Sequence, residues 1–217
     1  MLRYHWDDDD AHLPVFRDGL RNLALLTGDP QIYFSKLADA FTGVRATDCA
    51  GAELTLADAL ESAIKLIADA QAASRKLMLV GNGGSGAIAS HMAVDFVKMS
   101  GVAAVAFNDP VHLTCFSNDY GFEELFAESV KAFGANGDVL LAMSCSGRSP
   151  NILRAVEAAR EVGVATIAMG GFNADAPLTK MGDLNFYVDS DQYGLVQIAH
   201  LSLIHYMSDW FMERRGR

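Results

Sequence analysis

The sequence predicts an α/β fold, a three-layer α-β-α sandwich built on a parallel, five-stranded, flavodoxin-like sheet and preceded by N-terminal helices. Three observations predict it. From Lys76 onward, short apolar runs alternate with helix-length segments. The runs are apolar throughout rather than at every second residue. Loops rich in glycine and serine follow the first and third of them. A continuous apolar run is the pattern of a strand covered on both faces, and right-handed βαβ crossovers place helices on those faces.

The strands are expected at 77–80 (LMLV), 103–107 (AAVAF), 139–144 (VLLAMS), 165–170 (ATIAMG) and 184–188 (LNFYV). Helices are expected between them near Ile88–Met99, Glu123–Phe133 and Asn151–Val162. A long helix over about Leu195–Glu213 closes the chain, carrying Ile198, Leu201, Leu203, Ile204 and Met207. Upstream, helices are expected near Gln31–Val44 and after Thr55. In the second, Leu56, Leu60, Ile64 and Ile67 form one stripe, and Thr55 with Asp58 reads as a capped start. Residues 1–54 therefore read as a tail and helix packing on the core or on a partner subunit, and 55–217 as the main domain. The run Asp7–Asp10, near His5 and His12, reads as a solvated tail, with a helix start and a weak cation site as alternatives.

With 217 residues, 51% of them hydrophobic and 20% charged, the chain is long enough to bury one substantial core. Its net charge of −10 opposes binding to a polyanion, so nucleic acid is not an expected partner. A small phosphorylated ligand remains compatible with that charge, because backbone N–H groups and hydroxyls can hold it. Cys49, Cys115 and Cys145 form no CxxC pair, which fits a reducing compartment. The start MLRYHWDDDD has no secretory pattern and no apolar run reaches membrane-spanning length. A cytoplasmic protein without a membrane partner is expected.

In a doubly wound sheet, ligands sit beyond the carboxyl ends of the strands. After the first strand comes GNGGS, Gly81 to Ser85, directly before a helix. Its glycines let backbone N–H groups approach an anion and Ser85 adds a hydroxyl. The spacing is neither that of a dinucleotide fingerprint nor that of a nucleotide P-loop. After the third strand comes Ser144-Cys145-Ser146-Gly147-Arg148-Ser149, then Pro150 opening a helix. Hydroxyls from Ser144, Ser146 and Ser149, an emerging helix N-terminus and Arg148 suit a phosphate monoester. Each loop alone is more often an ordinary turn; two anion-friendly loops at corresponding strand ends make a much stronger joint signal for a phosphate monoester. Farther along, His91 and Asp95 lie four apart on one helix face, and Gln197, His200 and His205 interrupt an apolar terminal helix. Such residues are ordinarily surface pairs or satisfied core groups.

Four separated segments carry a resemblance: GNGGSGAIASHMAVDF, FNDPVHLTCFSNDYGFEELF, GDVLLAMSCSGRSPNILRAVEAAREVG and QIAHLSLIHYM. They resemble the SIS-domain family, and within it the phosphoheptose isomerases, over roughly Leu77 to the C-terminus; 55–217 is then the SIS domain. The resemblance implies an isomerase that converts sedoheptulose 7-phosphate, or a close sugar phosphate, to D-glycero-D-manno-heptose 7-phosphate through an enediol. It implies zinc held by His91, Asp95, Gln197 and His205, with Asp95 as base and His205 as acid, while His200 falls off the pattern. It implies substrate contacts from Asn82, Gly83, Gly84, Ser85, Asn118, Asp119, Ser144, Cys145, Ser146, Ser149 and Gln197, and a homotetramer with active sites at subunit interfaces. A second hint of shared sites is physical: Gln197 and His205, eight residues apart, are separated by about 12 Å of helix rise. The chain departs from the family at Asp95, where the family has a glutamate, and at Met99 and Gly194, where an arginine and an aspartate are expected. The phosphate end thus matches while the sugar end is altered. The alternative function is a non-catalytic SIS protein that binds a phosphosugar and acts through a protein partner. A phosphosugar-sensing transcription regulator is disfavoured by the acidic charge and the lack of a DNA-binding helix pair.

Overall fold

Five strands follow the apolar runs closely: Leu77–Gly81, Ala104–Ala106, Val139–Ser144, Ala165–Gly171 and Leu184–Val188, numbered β3 to β7. Two shorter ones precede them, Arg45–Asp48 (β1) and Glu53–Leu54 (β2). In the computed structural model, which describes residues 29–215, the sheet order is β2-β1-β7-β6-β5-β3-β4. The five later strands are parallel and stand in the flavodoxin-like order, with the switch point between β3 and β5. Strands β1 and β2 extend the β7 edge antiparallel, with Ala46 opposite Phe186. This pair was not legible in the sequence: in RATD only Ala46 is buried, so no two-residue alternation marks it.

The sheet is covered on both sides. Along β3, Leu77 and Leu79 face one apolar cluster while Met78 and Val80 face the other, as the alternation of a strand requires. The first cluster is closed by Leu56–Ala72 (α2), Gly83–Asp95 (α3) and Tyr193–Arg215 (α7) through Ile64, Ile67, Met92, Ile204 and Met207. The second is closed by Leu125–Phe133 (α5) and Pro150–Glu161 (α6) through Val130, Ile152 and Val156. Full burial of side chains of this size contributes about 1.5–3 kcal/mol each. Thr55 caps α2 as expected, its hydroxyl accepting the Asp58 N–H at 3.1 Å.

Helix Pro30–Thr42 (α1) starts at a cap by Asp29 and packs against α7. The acidic run Asp7–Asp10 with His5 and His12 lies outside the described residues. A further helix, Pro110–Tyr120 (α4), was not anticipated because it buries none of its residues. Its start was nonetheless signalled: Asp109 accepts the N–H groups of Val111 and His112, and Pro110 occupies the first turn. Helix α3 begins five residues earlier than expected, since the glycines that read as loop form its first turn. It ends in a π-helical turn, Phe96–Ser100, closed by Gly101 at φ 72°. No helix among the described residues is long and apolar enough to cross a membrane.

His200, on α7, is fully buried; its Nε2 donates to the Gly170 carbonyl at 3.1 Å and its Nδ1 has no partner. Burial drops its pKa from 6.5 to about 4, against the opposing pull of the Gly170 bond. A group whose folded pKa is depressed binds more protons when unfolded. Its stability contribution is therefore complete above about pH 6.5 and is lost as pH falls toward 4. The loss is on the order of 3 kcal/mol. Urea midpoints between pH 7 and 4.5 are expected to fall accordingly in the wild type and less steeply in His200→Gln; equal slopes would contradict this.

Candidate active site

At the switch point the two distinctive loops meet. Gly81 ends β3, and a Cβ there would stand 2.6 Å from the Ser85 carbonyl carbon, so glycine alone lets α3 fold back over the strand end. Gly83 has φ +53°. A Cβ on Gly84 would lie 2.5 Å from both polar atoms of the Gln197 carboxamide, so this side chain of α7 rests directly on the glycine loop. The loop after β5 turns at Gly147, φ +62°, and runs into the N-terminus of α6.

The hydroxyls are gathered as the spacing predicted. Ser144 Oγ lies 3.3 Å from Ser146 Oγ and 3.2 Å from Ser149 Oγ, and Ser146 Oγ accepts the Arg148 N–H. Ser149 is the N-cap residue of α6, yet its hydroxyl makes no capping bond and turns toward Ser144 instead. Ser85 and Ser144 are buried, and Ser85 Oγ approaches Cys145 Sγ at 3.9 Å. Burial raises the Cys145 thiol pKa, with Ser85 and Gln197 pulling the other way, so this cysteine is a neutral group rather than a nucleophile.

Two contributors escaped the sequence reading. Asn151, in the first turn of α6, exchanges two amide hydrogen bonds with Asn82, each 2.8 Å, and clamps the two loops together. Asn108, after β4, donates to Gly86 O and Ser90 Oγ at 2.7 and 2.9 Å and fixes the start of α3. Pro150-Asn151 and Phe107-Asn108-Asp109 lie in resembling segments, but nothing in their spacing distinguishes an amide that bridges loops from one that faces water. Asn118 and Asp119 lie on exposed α4, where Asn118 Nδ2 donates to Asp119 Oδ1 (2.8 Å) and the Cys115 thiol donates to Asp119 Oδ2 (3.6 Å). Among the described residues they are bonded locally rather than to either loop.

A second cluster forms where α3 and α7 run side by side in the same direction. Asp95 Oδ2 stands 3.4 Å from His91 Nε2 and 3.9 Å from His205 Nδ1. The two imidazole rings meet edge to face with centroids 5.4 Å apart. One ligand atom from each of the three residues falls within 4.8 Å of the others. Two imidazole nitrogens and a carboxylate oxygen at that separation form a donor set suited to zinc. Gln197 lies two turns before His205, over Gly84, and His200 faces the core. The cluster is open, the Asp95 and His205 side chains being 24% and 37% exposed.

A glycine loop and a serine nest that meet at a parallel-sheet switch point define the class, and the SIS domain family model matches residues 45–171. A phosphoheptose isomerase of Citrifermentans bemidjiense is 38% identical over 160 residues, covering 71% of this chain and 83% of the relative. One from Bradyrhizobium sp. (strain BTAi1) is 43% identical over 156 residues, covering 69% and 78%. The structure of phosphoheptose isomerase from Neisseria gonorrhoeae superposes with a TM-score of 0.73 at 31% identity, covering 83% of this chain and 96% of that one. The chain belongs to the phosphoheptose isomerase family of SIS-domain proteins.

Proposed function

We propose that the protein is a zinc-dependent ketose–aldose isomerase acting on sedoheptulose 7-phosphate or a close sugar phosphate. The observation that carries this is the convergence of His91 and Asp95, on the helix that begins in the glycine loop, with His205 of α7. About 9 Å of helix rise separates Ser85 from His91. That spacing suits an open-chain, seven-carbon sugar phosphate better than a triose phosphate.

In this reading Ser85, Ser144, Ser146 and Ser149 hold the phosphate, aided by loop N–H groups and the α6 dipole. The Asn82–Asn151 clamp keeps the two halves of that cradle at a fixed separation. Asp95 takes a proton from C1 of the ketose while His205 delivers one to the carbonyl oxygen at C2, giving a 1,2-enediol. Return of a proton to C2 and loss of one from the C1 hydroxyl gives the aldose, with no net gain or loss of electrons. A carboxylate is a chemically suitable base for such a step, and an imidazole a suitable acid. Zinc held by His91, Asp95 and His205, with Gln197 as a further ligand candidate, supplies Lewis-acid polarisation of the sugar oxygens when bound.

Active sites shared between subunits of a homotetramer are part of the proposal. Val94, Val97 and Tyr206, on the two helices that carry the cluster and the π turn after the first of them, are 60%, 50% and 56% exposed, apolar surface suited to a second copy. The cytoplasm, where such a phosphorylated substrate is found, is the proposed compartment. The test is turnover of sedoheptulose 7-phosphate by purified protein before and after chelation. The expected result is activity lost on chelation and restored by zinc. Undiminished turnover in metal-free protein would overturn the zinc role, and a monomer in light scattering would overturn the shared site.

A further inference from the structure

The π-helical turn that follows Asp95 belongs to neither the phosphate cradle nor the metal cluster, yet it lies against α7 one turn beyond both Asp95 and His205. In a regular α-helix the residue four after Asp95, Met99, would continue the face that Asp95 presents to α7. Here the turn is wider: the Gly101 N–H bonds the Phe96 carbonyl five residues back. The outcome is visible in burial, since Met99 is 40% exposed and Ser100 only 3%. Ser100 thus takes the place that Met99 would have held.

What Ser100 meets there is specific. Its hydroxyl donates to the Ser208 carbonyl at 2.9 Å and lies 2.8 Å from the Ser208 hydroxyl, in a pocket where Ser208 is itself 2% exposed. Ser208 lies three residues beyond His205 and Ser100 five beyond Asp95, so the serine pair is the next rung of the contact that carries Asp95 and His205. From the far end of α7, Arg215 Nη1 reaches back to the Lys98 and Met99 carbonyls at 2.8 and 3.3 Å, holding groups that a helix end leaves unpaired. Buried hydroxyl pairs and charge-assisted bonds of this kind fix one relative placement of two helices, because sliding either helix would strand polar groups without partners.

We infer that Ser100, Ser208 and Arg215 are positioning residues: the π turn and its two anchors set the axial register of α3 against α7 and thereby the Asp95–His205 separation. Neither hydroxyl nor guanidinium touches the substrate in this account, and the inference rests on the proposed proton-transfer roles of Asp95 and His205 only for its kinetic consequence. A misplacement of about 1 Å between reacting groups can cost on the order of 10²-fold in rate.

The test compares Ser100→Ala, Ser208→Ala, Arg215→Ala and Arg215→Lys with the wild type. Ser100→Ala removes both serine contacts. Ser208→Ala leaves the bond to the backbone carbonyl and is expected to be the milder change. Arg215 is exposed, so its variants retain the fold even if Ser100→Ala does not. In crystal structures the Asp95 Oδ2 to His205 Nδ1 distance, 3.9 Å here, is expected to change by about 1 Å in Ser100→Ala or Arg215→Ala, and kcat to fall about 10–100-fold with KM nearly unchanged. Arg215→Lys is expected to recover part of the loss. An unchanged separation in folded Arg215→Ala overturns the inference whatever the activity, as does a defect confined to KM. A wild type that keeps the separation but turns over no ketose phosphate contradicts the proposed function and leaves the structural readout to decide the inference.

Discussion

Asp95→Asn and His205→Gln are each expected to lower kcat by about 10²–10⁴-fold while leaving the sugar-phosphate Kd and the fold nearly intact. Both changes keep approximate side-chain size and hydrogen-bonding capacity but remove the ability to exchange a proton, and each also replaces one donor of the proposed zinc set. Both positions are partly exposed, so little core packing is at stake. Asp95→Glu separates two accounts of this chain, because the resemblance points to glutamate as the working residue. Faster heptose turnover in Asp95→Glu would mean that the native chain is tuned to another substrate. Slower turnover would mean that Asp95, Met99 and Gly194 form an adapted set. A folded Asp95→Asn variant retaining full kcat would remove Asp95 from the mechanism.

Ser144→Ala combined with Ser146→Ala is expected to weaken binding of a sugar phosphate by roughly 10²-fold or more. Hydrogen bonds to a charged group contribute about 1.5–3 kcal/mol each, and the two are not independent here, since the hydroxyls lie 3.3 Å apart. Calorimetry with the intact sugar phosphate and with the unphosphorylated ketose separates the two ends of the site. The loss is expected for the first ligand only, and equal affinity of the variant and wild type for the phosphate ester would show that the phosphate is held elsewhere.

The parallel strands and most of the helices that cover them were legible because burial on both faces forces a continuous apolar run that no loop would carry. The meeting of the two loops was legible because glycines and hydroxyls follow two strands whose carboxyl ends a doubly wound sheet brings together. What escaped had no such signal. Strand β1 buries one residue of four, and α4 buries none, so neither shows periodicity. Asn151 and Asn108 act across loops, through partners 69 and 22 residues away. The π turn is invisible to a pattern read at 3.6 residues per turn, and it alone explains why Ser100, not Met99, faces α7. The meeting of His91, Asp95 and His205 was implied by resemblance; spacing along one chain cannot place the terminal helix beside α3.

The most direct measurement is proton NMR of sedoheptulose 7-phosphate incubated with the zinc-loaded protein in deuterium oxide. An enediol route run by Asp95 and His205 exchanges the transferred proton with solvent. The expected result is an aldose heptose 7-phosphate carrying deuterium at C2, formed by the wild type and not by Asp95→Asn. No conversion of the ketose and no deuterium uptake at C1, with zinc bound and the phosphate ester bound, would contradict the isomerase account and leave a phosphosugar-binding protein in its place.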